Sequence, residues 1–267
     1  MKNNYAYELA RVIKVVRENP ITNTLHLKLA NQKRFQFLPG QFVQIGIPGF
    51  GECPIAISSA PQDAGKFICL TIRGVGELTK KLLTLKAGDI AFVHGPYGNG
   101  YPAVEKNLIL IAGGCGFIPL VSVYENNKNR KDIKIQILMG CRNENLLLFR
   151  KKMQQAQMKH DLNLILEETL SKSFAAQKGL ITDLLKKNKL LANATVFVCG
   201  PPAMYPAVVK KLLELKVAPA DIYLTLEKRM HCGVGICQHC AVGTKYVCKD
   251  GPIFSYEYLR TLSEYQY

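Results

Sequence analysis

The residues best suited to chemistry lie near the end of the chain. Cys232, Cys237, Cys240 and Cys248 fall at C-x4-C-x2-C-x7-C, the first three inside Glu227-Lys228-Arg229-Met230-His231-Cys232-Gly233-Val234-Gly235-Ile236-Cys237-Gln238-His239-Cys240. Thiolates so close in sequence converge only where the backbone makes a tight loop, and Gly233 and Gly235 allow the unusual angles it needs. The C-x4-C-x2-C core is the spacing that wraps a plant-type [2Fe-2S] cluster, with a fourth cysteine arriving from further along. Here the fourth follows after seven residues, which implies a small enclosing fold. Structural zinc sites usually take two separated short-spaced pairs, and only one C-x2-C pair exists here. Disulfides suit the chain poorly, since its nine cysteines are an odd number and no secretory signal is visible. His231 and His239 flank the cysteines, but a Rieske centre uses two histidines in place of two cysteines. Four cysteines already complete a set, so both histidines are read as neighbours of the ligands or as exposed.

Two glycine-bearing segments form a second candidate site. Gly113-Gly114-Cys115-Gly116-Phe117-Ile118-Pro119 follows the apolar run at 108–112 and opens a helical pattern. Free amide groups and the helix dipole at such a turn attract a pyrophosphate. The segment is not G-x-G-x-x-G, and a tight turn without a ligand is its bland reading. The second segment, Cys199-Gly200-Pro201-Pro202-Ala203-Met204-Tyr205, ends a later strand. In a doubly wound sheet both would border the crevice where dinucleotides bind. Cys115 and Cys199 are read as small buried packing residues, and Arg142 as a phosphate contact. No Ser/His/Asp or paired-carboxylate constellation emerges; His26, His94 and His160 are isolated and read as structural. No side chain is assigned as catalytic.

The elements that must position these residues fall into two textures. Up to about residue 102 the pattern is strand-like: Leu25-His26-Leu27-Lys28-Leu29 alternates, Pro39-Gly40-Gln41 turns into a strand from Phe42, and further strands follow at 55–57 and 67–73. Many short strands predict an antiparallel barrel, with one helical insert at 77–85 and a loop at 94–100. From 107 strands and helices alternate: strands at 108–112, 134–139, 162–166 and 195–199, helices from 117, to about 158, at 179–190 and at 203–215. This predicts a parallel doubly wound sheet. The expected domains are 1–102, 103–222 and a small cysteine domain at 223–267. In the last, Phe254, Tyr258, Leu259, Leu262 and Tyr265 recur at helical spacing, as a helix covering that domain or a docking surface.

Bulk properties set limits. The 267 residues, 48% hydrophobic and 21% charged, suit a multidomain globular protein. No apolar run is long enough to cross a bilayer, and Met1-Lys2-Asn3-Asn4-Tyr5 lacks the apolar core of an export signal. Together with reduced cysteines this predicts a cytoplasmic location. The net charge of +15 is spread out, its lysine runs at 80–81, 186–189 and 210–211 sitting on helical faces. None interleaves with aromatics as a base-stacking platform would. The charge is read as solvated surface and dinucleotide attraction, not nucleic-acid binding.

The ordered signposts Pro39-Gly40-Gln41-Phe42, Gly95-Pro96-Tyr97-Gly98-Asn99-Gly100, the 113–119 turn and the 199–204 segment resemble the ferredoxin-NADP reductase superfamily. With the cysteine domain added, the chain resembles its electron-transfer subunits that carry FAD and one [2Fe-2S] cluster. These include the electron-transfer subunits of anaerobic sulfite reductase and of dihydroorotate dehydrogenase, and the gamma subunits of nickel-iron sulfhydrogenases. The ending Tyr246-Val247-Cys248-Lys249-Asp250-Gly251-Pro252-Ile253-Phe254 is most similar to the sulfite reductase and hydrogenase branches.

The resemblance implies a flavin seat at Cys53, Pro54, Ile55, Ala56, Ile57 and Ser58, completed by Thr71, Ile72, Arg73, Gly76, Glu77, Leu78 and Thr79. The family commonly has Arg-Pro-x-Ser at the first of these; here Cys53 replaces the arginine and Ala56 the serine. Arg73, the amides at 77–79 and backbone N–H groups near Ile57 are expected to substitute. The resemblance likewise implies an NAD(P)H site at Gly113, Gly114, Gly116, Arg142, Cys199, Gly200, Pro201 and Met204. Electrons would pass between NAD(P)H and a partner catalytic subunit through FAD and the cluster, because a flavin exchanges hydride on one side and single electrons on the other. A dihydroorotate dehydrogenase partner is the alternative within the class. A non-catalytic zinc-binding interaction module is the alternative outside it.

Overall fold

A computed structural model of the chain describes residues 6–31, 35–168 and 174–267. The segment Met1–Tyr5, on which the export-signal expectation rests, lies outside them. The chain separates into two compact units. One comprises Met1–Tyr101, Val121–Asn127 and Glu227–Pro252, and the other Pro102–Leu120, Lys128–Leu226 and Ile253–Tyr267.

The first unit is built on six antiparallel strands: β1 (Glu8–Asn19), β2 (Thr22–Leu29), β3 (Phe42–Ile47), β4 (Gly51–Ala56), β5 (Ile68–Arg73) and β6 (Ile90–Tyr97), with helix α1 (Glu77–Leu82) before β6. Their order is β4-β3-β6-β1-β2-β5. The two edge strands meet just past β4, where Ile57 bridges Leu70 and Ser58 N donates to Cys69 O at 2.8 Å. The sheet thus closes into the expected barrel, which satisfies edge groups that would otherwise stay unpaired. Leu25, Leu27 and Leu29 turn inward while Lys28 is exposed, and the core they join includes Val43, Ile45, Ile57, Leu70 and Ile72. Leu82 of α1 is fully buried in that core, with Leu78, Leu83 and Leu85 packed on it. One expectation fails here. Residues 94–97 are not loop but the end of β6, because Gln44 pairs with His94 and Phe42 with Tyr97 across the ladder.

The second unit holds β7 (Asn107–Gly113), β8 (Ile135–Cys141), α3 (Arg150–Lys159), β9 (Asp161–Leu166), β10 (Ala176–Lys178), α4 (Ile181–Lys187), β11 (Ala194–Cys199), α5 (Tyr205–Glu214) and β12 (Ile222–Thr225); α2 (Phe117–Asn127) follows β7. Strands β7, β8 and β11 are buried along nearly their whole length, as parallel strands covered on both faces must be. The predicted helix at 179–190 is shorter. Asp183 accepts from the Leu180 amide at 3.0 Å and fixes the start of α4 there, while Asn188 is already extended.

After the cysteine region, with β13 (Ala241–Val242), β14 (Lys245–Tyr246) and α6 (Val247–Asp250), come β15 (Ile253–Ser255) and α7 (Tyr256–Leu259). The large sheet runs β10-β9-β8-β7-β11-β12-β15, parallel throughout except that β15 is antiparallel to β12. The predicted C-terminal helix is therefore corrected. Phe254 lies in a strand that pairs with Leu224, and α7 is a single turn capped by Ser255, whose Oγ accepts from Tyr258 N at 3.3 Å. Apolar residues at helical spacing mark burial here rather than helix. No helix among the described residues is long and apolar enough to cross a membrane.

Candidate functional site

The cysteine loop depends on left-handed backbone. Gly233 (φ 71°), Gly235 (φ 81°) and Gln238 (φ 64°) adopt it, and they turn the loop's amides inward onto sulfur. Gly235 N donates to Cys248 Sγ at 3.0 Å, Ile236 N and Cys237 N to Cys232 Sγ at 3.3 and 3.4 Å, and Cys248 N to Cys240 Sγ at 3.4 Å. The cysteines fall into two pairs, Cys240 with Cys248, whose sulfurs lie 3.3 Å apart, and Cys232 with Cys237, whose amide donates to Cys232 Sγ. Among the described residues no three His, Cys, Asp or Glu side chains are gathered for one ion. Two thiolates on one tetrahedral metal with bonds of about 2.3 Å stand roughly 3.8 Å apart, so two pairs suit a two-metal cluster. Backbone hydrogen bonds and the Cys232 thiol bring Cys237 down to about 7, whereas burial, then Cys240, pushes Cys248 up to about 12. The donor set fits the cluster: thiols in pairs, with N–H groups aimed to stabilise thiolate.

This region is seated on the barrel. Asn99 N donates to Gly251 O at 2.5 Å and Asn99 Nδ2 to Asp250 O at 3.0 Å. A Cβ on Gly233 would stand 2.9 Å from Gln44 Nε2, so the loop lies directly against β3.

The flavin-seat candidates divide. Ile57, Ser58, Thr71 and Ile72 are buried in the barrel wall. Ser58 Oγ lies 2.8 Å from Thr71 Oγ1, which lies 2.9 Å from Thr24 Oγ1, so these hydroxyls bond one another. The amides of Ile57 and Ser58 donate to Gln41 O and Cys69 O. The expectation that N–H groups near Ile57 replace the lost arginine is thereby corrected, for strand pairing has taken both. Thr79 Oγ1 accepts from Val75 N and Gly76 N, both at 2.9 Å, and caps its own helix. Cys53 and Ile55 are half-buried against the barrel core, and burial, then Glu52, pushes the Cys53 thiol up to about 11. Pro54 and Ala56 are half-buried, Arg73 and Glu77 exposed and Leu78 partly so. A Cβ on Gly76 would meet nothing within 4 Å. Arg73 ends β5 exposed, and a guanidinium suits a phosphate-bearing group.

The nucleotide segments are brought together, and their glycines are there for space. A Cβ on Gly116 would stand 2.0 Å from Cys199 O, one on Gly113 2.7 Å from Met204 Sδ and 3.0 Å from Pro201 Cδ, and one on Gly200 2.5 Å from Met204 Cε. Gly114 instead needs its left-handed φ of +53° and faces open space. The parallel pairing of β11 with β7 sets Cys199 beside Ala112, which places both turns at the carboxyl edge. Tyr205 fixes the second turn, its hydroxyl lying 3.3 Å from Gly200 N and donating to Thr225 O. Cys199 is buried and Cys115 partly so. Arg142 is exposed and paired with Glu168.

Sequence reasoning missed one network. His94, read as isolated, is 3% exposed, with Nε2 2.8 Å from Glu52 Oε2 and Nδ1 2.5 Å from the Tyr97 hydroxyl. Tyr7 donates to the same Glu52 oxygen at 3.0 Å. The partners come from three separate segments, and nothing in their local sequence signals the meeting.

Residues 110–210 match the family model of the oxidoreductase NAD-binding domain. Residues 227–260 match that of the iron-sulfur cluster binding domain of dihydroorotate dehydrogenase B. The chain is 40% identical to the sulfhydrogenase 2 subunit gamma of Pyrococcus furiosus, over 95% of this chain and 96% of that one. It is 32% identical to a probable dihydroorotate dehydrogenase B (NAD(+)) electron transfer subunit of Thermoplasma volcanium, over 91% and 87%. In fold it is similar to a chain of the NADH-dependent reduced ferredoxin-NADP oxidoreductase, with TM-score 0.77, 23% identity and coverage of 96% and 95%. It is also similar to a ferredoxin NADP+ reductase from Neisseria gonorrhoeae, with TM-score 0.67, 18% identity and coverage of 82% and 97%. A barrel, a nucleotide sheet with its two glycine turns and a paired-cysteine loop in one chain, matched along nearly its whole length, make this protein a member of the ferredoxin-reductase-like electron-transfer subunits that include those of sulfhydrogenase (gamma) and dihydroorotate dehydrogenase B.

Proposed function

We propose that this chain passes electrons between NAD(P)H and a partner catalytic subunit of the nickel-iron hydrogenase or sulfite reductase type, using FAD and one [2Fe-2S] cluster. One observation carries the reading: a nicotinamide-nucleotide domain and an iron-sulfur domain share a single polypeptide. When bound, a flavin accepts hydride and releases electrons singly, and a cluster takes them one at a time. The chain's own residues position these groups and exclude water; no side-chain acid or base is required.

Cys232, Cys237, Cys240 and Cys248 hold the cluster in this proposal. Gly113, Gly114, Gly116, Gly200, Pro201 and Met204 would hold the nucleotide, with the amides leading into α2 available to its pyrophosphate. Pro54, Ala56, Arg73 and Gly76 receive the flavin, the barrel hydroxyls serving as wall. The proposed division of labour is flavin at 1–102, nucleotide at 103–222 and cluster at 223–267, with β15 pairing in the nucleotide sheet. The proposed place of action is the cytoplasm, where cluster-binding thiols stay reduced.

The higher identity to the sulfhydrogenase gamma chain favours a hydrogenase-type partner. The match at 227–260 keeps a dihydroorotate dehydrogenase partner as the second reading. An anaerobically reconstituted chain tests the proposal by its visible spectrum. Flavin and [2Fe-2S] bands that bleach with NADH or NADPH are expected. A colourless protein, or iron and sulfide that reduced nicotinamide leaves untouched, would overturn it. Co-purification of the tagged chain from its host then separates the two partners.

A further inference from the structure

Strand β3 carries a buried polar side chain that nothing in the barrel explains. Val43 and Ile45 face the barrel core, so alternation turns Gln44 to the outer face. There it is nevertheless only 1% exposed. The cysteine loop packs on it. A Cβ on Gly233 would stand 2.9 Å from Gln44 Nε2, 3.4 Å from its Cγ and 3.6 Å from its Cδ. Gly233 directly follows Cys232, so the carboxamide lies against the backbone beside the first proposed ligand. Its nitrogen is the atom nearest Gly233, while its oxygen is buried and, among the described residues, accepts no hydrogen bond.

A buried amide left unpaired costs stability, and such a group in a native fold calls for an explanation in function or in a missing ligand. Its neighbours on that face supply no partner. Gln44 is flanked by Pro54 on β4, which has no polar side chain, and by His94 on β6, whose ring nitrogens face Glu52 and Tyr97. The loop, by contrast, already aims donors at sulfur, for the amides of Gly235, Ile236, Cys237 and Cys248 each point to a cysteine Sγ. Gln44 brings a side-chain donor with two N–H bonds from the barrel side. Hydrogen bonds to the sulfurs of an iron-sulfur centre help set its potential, because each favours the form that carries more negative charge. Pro54 belongs to the proposed flavin seat, so Gln44 stands on the strand between that seat and the cysteine loop.

We infer that Gln44 donates from Nε2 to a sulfur on the Cys232 side of the bound [2Fe-2S] cluster, raises its reduction potential, and so sets the driving force between flavin and cluster. The inference rests on the cluster reading of the loop. It is tested by redox titration of the anaerobically reconstituted full chain, followed through the electron paramagnetic resonance of the reduced cluster. Gln44→Leu keeps the bulk and removes the donor. It is expected to lower the midpoint by about 59 mV, a tenfold change in a one-electron equilibrium. Gln44→Glu keeps the shape but puts an acceptor in place of the donor, and is expected to lower the midpoint at least as far. An unchanged midpoint in Gln44→Leu, even with some cluster lost, is what a purely structural role would give, and it overturns the inference. The second readout is coupling between the reduced cluster and isotope-labelled glutamine side-chain nitrogen in pulsed resonance spectra. It is taken on the chain carrying Gln238→Asn, which leaves no other glutamine among residues 227–248; asparagine tolerates the φ of 64° at that position. Coupling is expected there, and its absence overturns the inference. That measurement decides should neither Gln44 variant hold a cluster. Either negative result leaves the electron-transfer reading standing, whereas a wild-type chain that takes up no [2Fe-2S] cluster removes both.

Discussion

Between Cys232 and Cys248 every proposed ligand, and the amides that donate to them, come from one short run of chain. The nucleotide turns come instead from two segments more than eighty residues apart, 113–116 and 199–204. The glycines show the difference. Gly233 and Gly235 are needed for their positive φ, which is a property of each residue's own backbone. Gly113 and Gly116 are needed because the other segment already fills the space a Cβ would take. A local site tolerates changes around it as long as its ligands remain; a site assembled across the sheet fails when either half shifts.

The largest expected effect is loss of one thiol from a pair. Cys240→Ser leaves Cys248 without its neighbour, and cluster retention should fall beyond the 10–100-fold typical of losing an outer-shell partner. Iron and sulfide analysis after reconstitution measures this, and full occupancy would break the pairing. Next comes Gly116→Ala, whose Cβ would lie 2.0 Å from the Cys199 carbonyl oxygen. Overpacking of this kind costs about 3 kcal/mol or more when backbone must move. Gly114→Ala meets open space and pays only for its left-handed φ, about 1–2 kcal/mol. Denaturant melts of both should rank them in that order, and equal losses would show the two turns are not packed together.

In the barrel, Thr71→Val removes the middle hydroxyl of the Thr24–Thr71–Ser58 chain. A loss of about 1 kcal/mol is expected, small because Ser58 Oγ still reaches Cys69 O and Thr24 still reaches Glu18. The smallest effect concerns pH. Burial favours the neutral Cys53 thiol, raising it from 9.0 to about 11. The stability tied to that thiol is whole below about pH 9 and is lost as pH rises through about 11, when the folded chain must ionise a half-buried group. Peptide-mapped alkylation of Cys53 should stay slow at pH 8 and rise with a midpoint near 11. A midpoint near 9 would mean the strand is open there.

How far the sequence reached follows from the same distinction. Leu25, Leu27 and Leu29 announced their face because alternation is written within one strand, and the C-x4-C-x2-C spacing marked out a loop before any fold was known. The His94 network was invisible, since Tyr7, Glu52 and Tyr97 reach it from 87, 42 and 3 residues away. The separation of Arg142 from Glu168, 26 residues, hid a pairing that changes what the arginine offers a ligand.

The sequence by itself determined which residues have the chemistry to bind metal and phosphate, because side-chain type, close spacing and backbone permissiveness belong to the chain before it folds. Only the tertiary structure decided that Ser58 and Thr71 face each other in the barrel wall, that Phe254 joins a strand beside β12, and that Glu168 holds Arg142. Those outcomes depend on strand order and register, which bring distant donors and acceptors within hydrogen-bonding reach and leave no trace in local composition.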